Sequence, residues 1–324
     1  MSGARRNKRP RSKSSEAVAN PMIAIVGAGR VGRVLGRLLH EKGWRIGPVV
    51  TRSMRSARAA RHRIGSGTAQ AGLSESILAA DVILISTPDR AIGDVAEALA
   101  RLGEASSSRA AQGAKQQSQP QGKAWNGKIV LHTSGALPSD VLSPLARRGA
   151  ATGSLHPLQT FSGRTLPSLA GSVCVIEGSA SALAIARRIC RDLRCIAVAL
   201  PPRSKAAYHA GAALAAGHVL ALFEAAVRML IEAGFPRGRA IAALLPLTRQ
   251  TLANYEQVGP RAAWTGPLAR GDFGVVERHL KALRGFANEY REAYEALSKL
   301  AVRVLANGDR GKEKLLLRTL GRIK

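Results

Sequence analysis

Residues 22–39 read MIAIVGAGRVGRVLGRLL. An apolar run leads into Gly27, Gly29 and Gly32 at GxGxxG spacing, and apolar residues then recur at helical period. The pattern is strand, tight turn, helix. The first glycine permits the turn, the second lets backbone approach a diphosphate, and the third lets the helix pack closely on the strand. Backbone N–H groups of Ala28, Arg30 and Val31 and the helix dipole then face the phosphates. This stretch predicts a dinucleotide-binding turn.

Outward from it, short apolar runs at 45–51, 82–87, 128–132, 151–155, 172–177 and 194–199 alternate with helical stretches at 30–42, 91–102, 138–148 and 180–192. Such alternation predicts an α/β fold, a Rossmann doubly wound parallel sheet covered on both faces. After Pro201-Pro202 the pattern turns helical, with helices expected near 203–233, 237–257, 272–284, 286–306 and 311–322. The expected division is a basic, disordered tail over 1–20, a nucleotide-binding domain over 21–200 and an all-α C-terminal domain over 201–324. Residues 103–127 look like a low-complexity insertion at the amino edge of the sheet, away from the edge where nucleotides bind.

Cofactor choice is written at the end of the second strand. There the chain reads Thr51-Arg52-Ser53, with no Asp or Glu from Lys42 to Ser74. A guanidinium suits a 2′-phosphate, so NADP(H) is expected over NAD(H). Thr87-Pro88 ends the third strand beside the expected cofactor ribose, and Asp89 follows it. LHTSGALPSD (131–140) and GSLHPLQTF (153–161) each follow a strand, which places Ser134 and His156 at the carboxyl edge. His156 is the expected acid/base with Ser134 orienting it, whereas His132 reads as structural. No HExxH or CxxC occurs, so no metal is expected.

The net charge of +28 is spread along the chain, aromatics make up 4%, and no nucleic-acid-binding motif appears. Specific nucleic-acid recognition is not expected. Cys174, Cys190 and Cys195 form no even framework, which points to a reducing, cytoplasmic setting. Residues 206–223 carry no Lys, Arg, Asp or Glu, and small residues dominate them. They read as a helix of the protein interior rather than a membrane span, with apolar surface to share across a homodimer.

The combination GAGRVG, STPDRAI, HTSGALPSD, GSLHPLQTF, KAAYHAGAALA and TGPLARGD resembles a bacterial family over residues 22 to about 305. Its members join a Rossmann-like domain to a helical domain of unknown function and are described as NADP-dependent oxidoreductases. The resemblance implies kinship with prephenate, ketopantoate, pyrroline-5-carboxylate and 3-hydroxyacid dehydrogenases, and a C-terminal domain like that of 6-phosphogluconate dehydrogenase. It implies hydride transfer to or from a small carbonyl, imine or alcohol held in an interdomain cleft. Ser134 and His156-Pro157 match a serine turn and His-Pro motif of prephenate dehydrogenases, but Leu158-Gln159 departs from that pattern. Lys205 and His209 resemble the Lys and Asn one turn apart in 3-hydroxyacid dehydrogenases and would assist. Gly135, Gln159, Thr265 and Arg270 would line the substrate site, Arg270 holding a carboxylate, and Asp272 would cap the next helix. A non-catalytic NADP(H)-binding regulator on the same fold is the alternative.

Overall fold

The computed structural model describes residues 20–113, 124–163, 165–306 and 310–321. The tail up to residue 19 and residues 114–123 of the insertion lie outside the described residues. The chain forms two compact units, Met1–Leu214 and Ala215–Lys324. The division thus falls beyond the expected boundary near residue 200, because the first helix after Pro201 still packs with the first unit through Lys205.

The first unit is built on one eight-stranded sheet. Its strands are β1 (Met22–Val26), β2 (Arg45–Thr51), β3 (Thr68–Ala71), β4 (Val82–Ile85), β5 (Ile129–His132), β6 (Ala151–Pro157), β7 (Val173–Gly178) and β8 (Ile196–Ala199), in the order 3-2-1-4-5-6-7-8. Neighbours pair in parallel except β6 with β7, so the expected all-parallel sheet ends at β6. The central strands are continuous apolar runs, as burial on both faces requires. One face packs Leu35 and Leu39 of α1 (Arg30–Glu41) and Ala182, Ala186 and Ile189 of α5 (Ala180–Asp192) on Ile23, Leu84 and Leu131. The other packs Ile92, Ala96 and Leu99 of α3 (Ile92–Gly113) on Ala24, Ile83 and Val130. Between α3 and α5 stands only the short α4 (Ser143–Ala146), preceded by a 3₁₀ turn, in place of the longer helix expected over 138–148.

Two elements, α2 (Met54–Ile64) and β3, are not among those expected from the sequence. The helix buries only Ala57, Ala60 and Ile64, and β3 is a short edge strand with no apolar run, so neither leaves a strong periodic signal. The insertion is also smaller than expected. Residues 103–113 continue α3, their Ala and Gln being helix formers, and Trp125 is buried in the core on that face.

The chain leaves the first unit along α6 (Lys205–Ala213) and passes through a π-helical turn, Leu214–His218. The second unit holds α7 (Val219–Glu232), α8 (Arg237–Ala263, broken at Gly259), α9 (Pro267–Arg270), α10 (Phe273–Ala282), α11 (Asn288–Leu305) and α12 (Arg310–Gly321). Its core gathers Phe273, Val276, Leu280, Val302 and Leu316, from the later helices. Within the single chain the segment 206–223 is not covered as an interior helix would be. Only 6% of its most apolar window is buried, and Leu220 is 68% exposed. This is the one helix among the described residues long and apolar enough to cross a membrane by length and composition.

Candidate functional site

The glycine-rich turn leaves β1 at the carboxyl edge. Gly27 takes φ +86°, where L side chains are strained, and a Cβ there would press within 2.6–2.7 Å of Thr87. A Cβ on Gly32 would meet the Gly27 carbonyl at 2.8 Å, so the helix lies hard against the turn. Gly29 has no such neighbour, and its missing side chain leaves open space over the turn. Gly29 also caps α1 with no side-chain hydrogen bond to the N–H groups of the first turn. Beside the turn, the Thr87 hydroxyl is buried without a partner. A bare helix terminus, an open cradle and an orphaned hydroxyl fit an anionic dinucleotide.

At the end of β2, Thr51 Oγ1 donates to the Ser53 carbonyl at 2.8 Å, and Ser53 caps α2 by accepting from Ser56 N–H. Both hydroxyls are therefore occupied by the turn. Arg52 stands exposed between them with no acidic partner among the described residues.

Along the same edge, β5 and β6 pair side by side and bring their following turns together. Ser134 Oγ donates to the Asp89 carboxylate at 2.8 Å and accepts from Ala136 N–H and Leu137 N–H at 3.2 and 3.0 Å. Saturated in this way, it does not orient His156, contrary to expectation. Tyr208 of α6 takes that place, its hydroxyl 2.7 Å from His156 Nδ1. The His156 ring also meets the His209 ring edge to face, centroids 5.7 Å apart. Gly135 makes this approach possible, since a Cβ there would stand 2.8 Å from His156 Cε1 and 2.9 Å from Nε2.

Under the turn lies Lys205, with no exposed surface. Its ammonium donates to the Ser134 carbonyl at 3.1 Å and to Ser154 Oγ at 2.6 Å. The Glu177 carboxylate is likewise buried and accepts from Ser139 N–H and Ser139 Oγ at 2.8 and 2.6 Å. Burial pulls the Lys205 ammonium down to about 8, against the opposing pull of Glu177 and Asp89. Burial, with His209 and Lys205 adding to it, lowers His156 to about 4, so its ring is neutral near pH 7. Tyr208 is pushed up to about 12 by burial and keeps its proton. His132 falls to about 3 through burial and accepts from Ser134 N–H, which fits the structural role expected of it.

Ser134, Gly135, His156, Lys205 and His209 are therefore brought together. Gln159 is not: it is exposed, and its Oε1 accepts from the next backbone N–H. Thr265 and Arg270 belong to the second unit, where Arg270 Nε donates to Asp272 Oδ2 at 2.9 Å. Asp272 stands at the N-cap of α10 but makes no capping hydrogen bond, because its carboxylate takes the arginine instead. Tyr208 and Glu177 were missed. Tyr208 sits three residues past Lys205 in KAAYHAG, so helical spacing alone could have flagged it. Nothing local marks Glu177, whose partners lie 38 residues away.

Together these features define a Rossmann-type α/β fold followed by a helical second domain. Residues 8–157 match the profile of a Rossmann-like domain, and residues 172–301 match a domain of unknown function, DUF2520. The chain belongs to the proteins that pair these two domains. Among solved structures it is similar to a candidate NADP oxidoreductase from Bacteroides fragilis, at 22% identity and TM-score 0.67, covering 88% of this chain and 99% of that one. An imine reductase from Pseudomonas sp. is 16% identical with TM-score 0.62, covering 93% of this chain and 99% of its own. A reductive aminase from Aspergillus terreus, in complex with NADPH and ethyl-5-oxohexanoate, is 16% identical with TM-score 0.58, covering 88% and 94%. At these identities the likeness establishes the fold. A search of curated protein sequences gives no match.

Proposed function

We propose that the protein is a cytoplasmic, NADP(H)-dependent oxidoreductase acting on a small carbonyl, imine or alcohol. The observation that carries the reading is a neutral His156, hydrogen-bonded to Tyr208 and set on the edge that also bears the glycine-rich turn. The NADP oxidoreductase, imine reductase and reductive aminase of like fold lend it further support. Bound NADP(H) supplies or accepts the hydride. The turn Gly27–Gly32 holds its diphosphate and Arg52 its 2′-phosphate.

His156 moves the proton. In the tautomer that donates Nδ1–H to the Tyr208 oxygen, Nε2 is an acceptor at neutral pH. It takes the proton of an alcohol or amine as hydride leaves the neighbouring carbon. In the reducing direction the imidazolium returns that proton to the forming alkoxide or amine. The Asp89 carboxylate favours this imidazolium. Lys205 acts through the Ser134 turn, since its ammonium has no exposed surface to offer a substrate.

We also propose a homodimer through α7 and α8, where Leu220, Leu247 and Leu252 are 68%, 62% and 61% exposed. NADPH oxidation over a panel of keto acids and cyclic imines tests the activity. On whichever substrate turns over, His156→Ala should lose about a hundredfold in kcat with NADPH affinity kept. Binding of NADPH with no turnover across the panel would favour the non-catalytic alternative. Full turnover by the variant would remove His156 from the chemistry.

A further inference from the structure

Within the first unit, a cavity of about 320 Å³ shares no lining residue with the Ser134–His156 cluster. Arg30, Arg33 and Arg37 line it from α1 and Arg63 from the last turn of α2, with Gly163 and Leu166 opposite. Among the described residues no carboxylate lines it. Arg37 has an ion partner in Glu41 at 2.6 Å, outside the lining. Arg30, Arg33 and Arg63 have no acidic partner among the described residues.

Two of the guanidinium heads are anchored. Arg33 Nε donates to the Gly29 carbonyl at 3.0 Å, and Arg63 Nη1 donates to the Gly163 carbonyl at 3.1 Å. A guanidinium carries five N–H donors, so each anchored head keeps most of its donors for a ligand. Like charges this close repel one another. The Arg33 guanidinium is held below its ordinary value by burial and then by Arg63 and Arg30. An anion in the cavity relieves that repulsion, and phosphate oxygens match planar guanidinium forks in pairs. The space exceeds what a single phosphate group needs, and three uncompensated cations match two or three phosphates in a chain.

We propose that Arg33, Arg37 and Arg63, with the side chain of Arg30 from the edge of the dinucleotide turn, form a binding site for a compact polyphosphate group that is distinct from the cofactor's diphosphate. The site does not depend on the activity proposed above. Because Arg33 is tethered to Gly29, the experiment must distinguish this pocket from the cofactor's own phosphates. Inorganic triphosphate is titrated calorimetrically into the full chain at moderate salt, with and without saturating NADPH. One equivalent should bind in both cases. The Arg33→Gln, Arg63→Gln double variant should bind about tenfold or more weakly, with its melting temperature held, whereas Arg52→Asp should bind triphosphate normally.

Absence of binding overturns the proposal. So does displacement by NADPH, which would make the pocket part of the cofactor site. Undiminished binding by the double variant also overturns it, since that would be general attraction to a chain of net charge +28. Should NADPH itself fail to bind, the titration of the free protein and its variant still decides the pocket, so the two readings fail separately.

Discussion

The two units treat burial in opposite ways. Around Lys205 the first unit buries an ammonium, a carboxylate and several hydroxyls, and supplies each with partners. The second unit leaves large apolar side chains of α7 and α8 exposed while packing its core from α10, α11 and α12. The first arrangement is complete within the chain: removing a member leaves a buried polar group without its partner. The second has apolar surface well beyond what scattered exposed leucines account for, which marks an interaction face.

The largest effect is expected from the buried network. Lys205→Ala removes the buried donor of the Ser134 carbonyl and of Ser154 Oγ, together with the positive charge that acts on Glu177, and leaving a buried polar group unsatisfied costs roughly 1–3 kcal/mol, more where a charge is involved. Denaturant unfolding measures the loss, and adding Glu177→Gln should recover part of it. A cost near zero for Lys205→Ala would mean that water takes the ammonium's place at the Ser134 carbonyl and Ser154 Oγ.

The apolar face is tested by Leu220→Glu with Leu247→Glu. Light scattering should give about twice the 34.1 kDa chain mass for the native protein and one chain mass for the variant. A native protein that scatters as one chain would contradict the dimer. Partition into lipid vesicles, with no dimer in solution, would assign the face to a membrane instead.

The same contrast explains what could be read from sequence. The GxGxxG turn and the placement of Ser134 and His156 at one sheet edge follow from local patterns: glycine spacing and strand ends, with β5 and β6 lying side by side. The partners of those residues do not. Ser134 turns to Asp89, 45 residues away, and His156 to Tyr208, 52 residues away, because geometry across the edge rather than spacing chooses among competing donors. The 206–223 segment shows the converse limit. Composition reveals that it is apolar but not whether its own chain covers it, and most of that window is exposed.

Cofactor binding is the claim on which the functional reading stands, and the smallest change tests it. Fluorescence titration of the native protein should show NADPH binding roughly ten- to a hundredfold tighter than NADH, the contribution of hydrogen bonds to one charged group. Arg52→Asp should erase or reverse that preference while leaving NADH binding in place. Equal affinity for the two cofactors in the native protein, or binding of neither, would contradict the account.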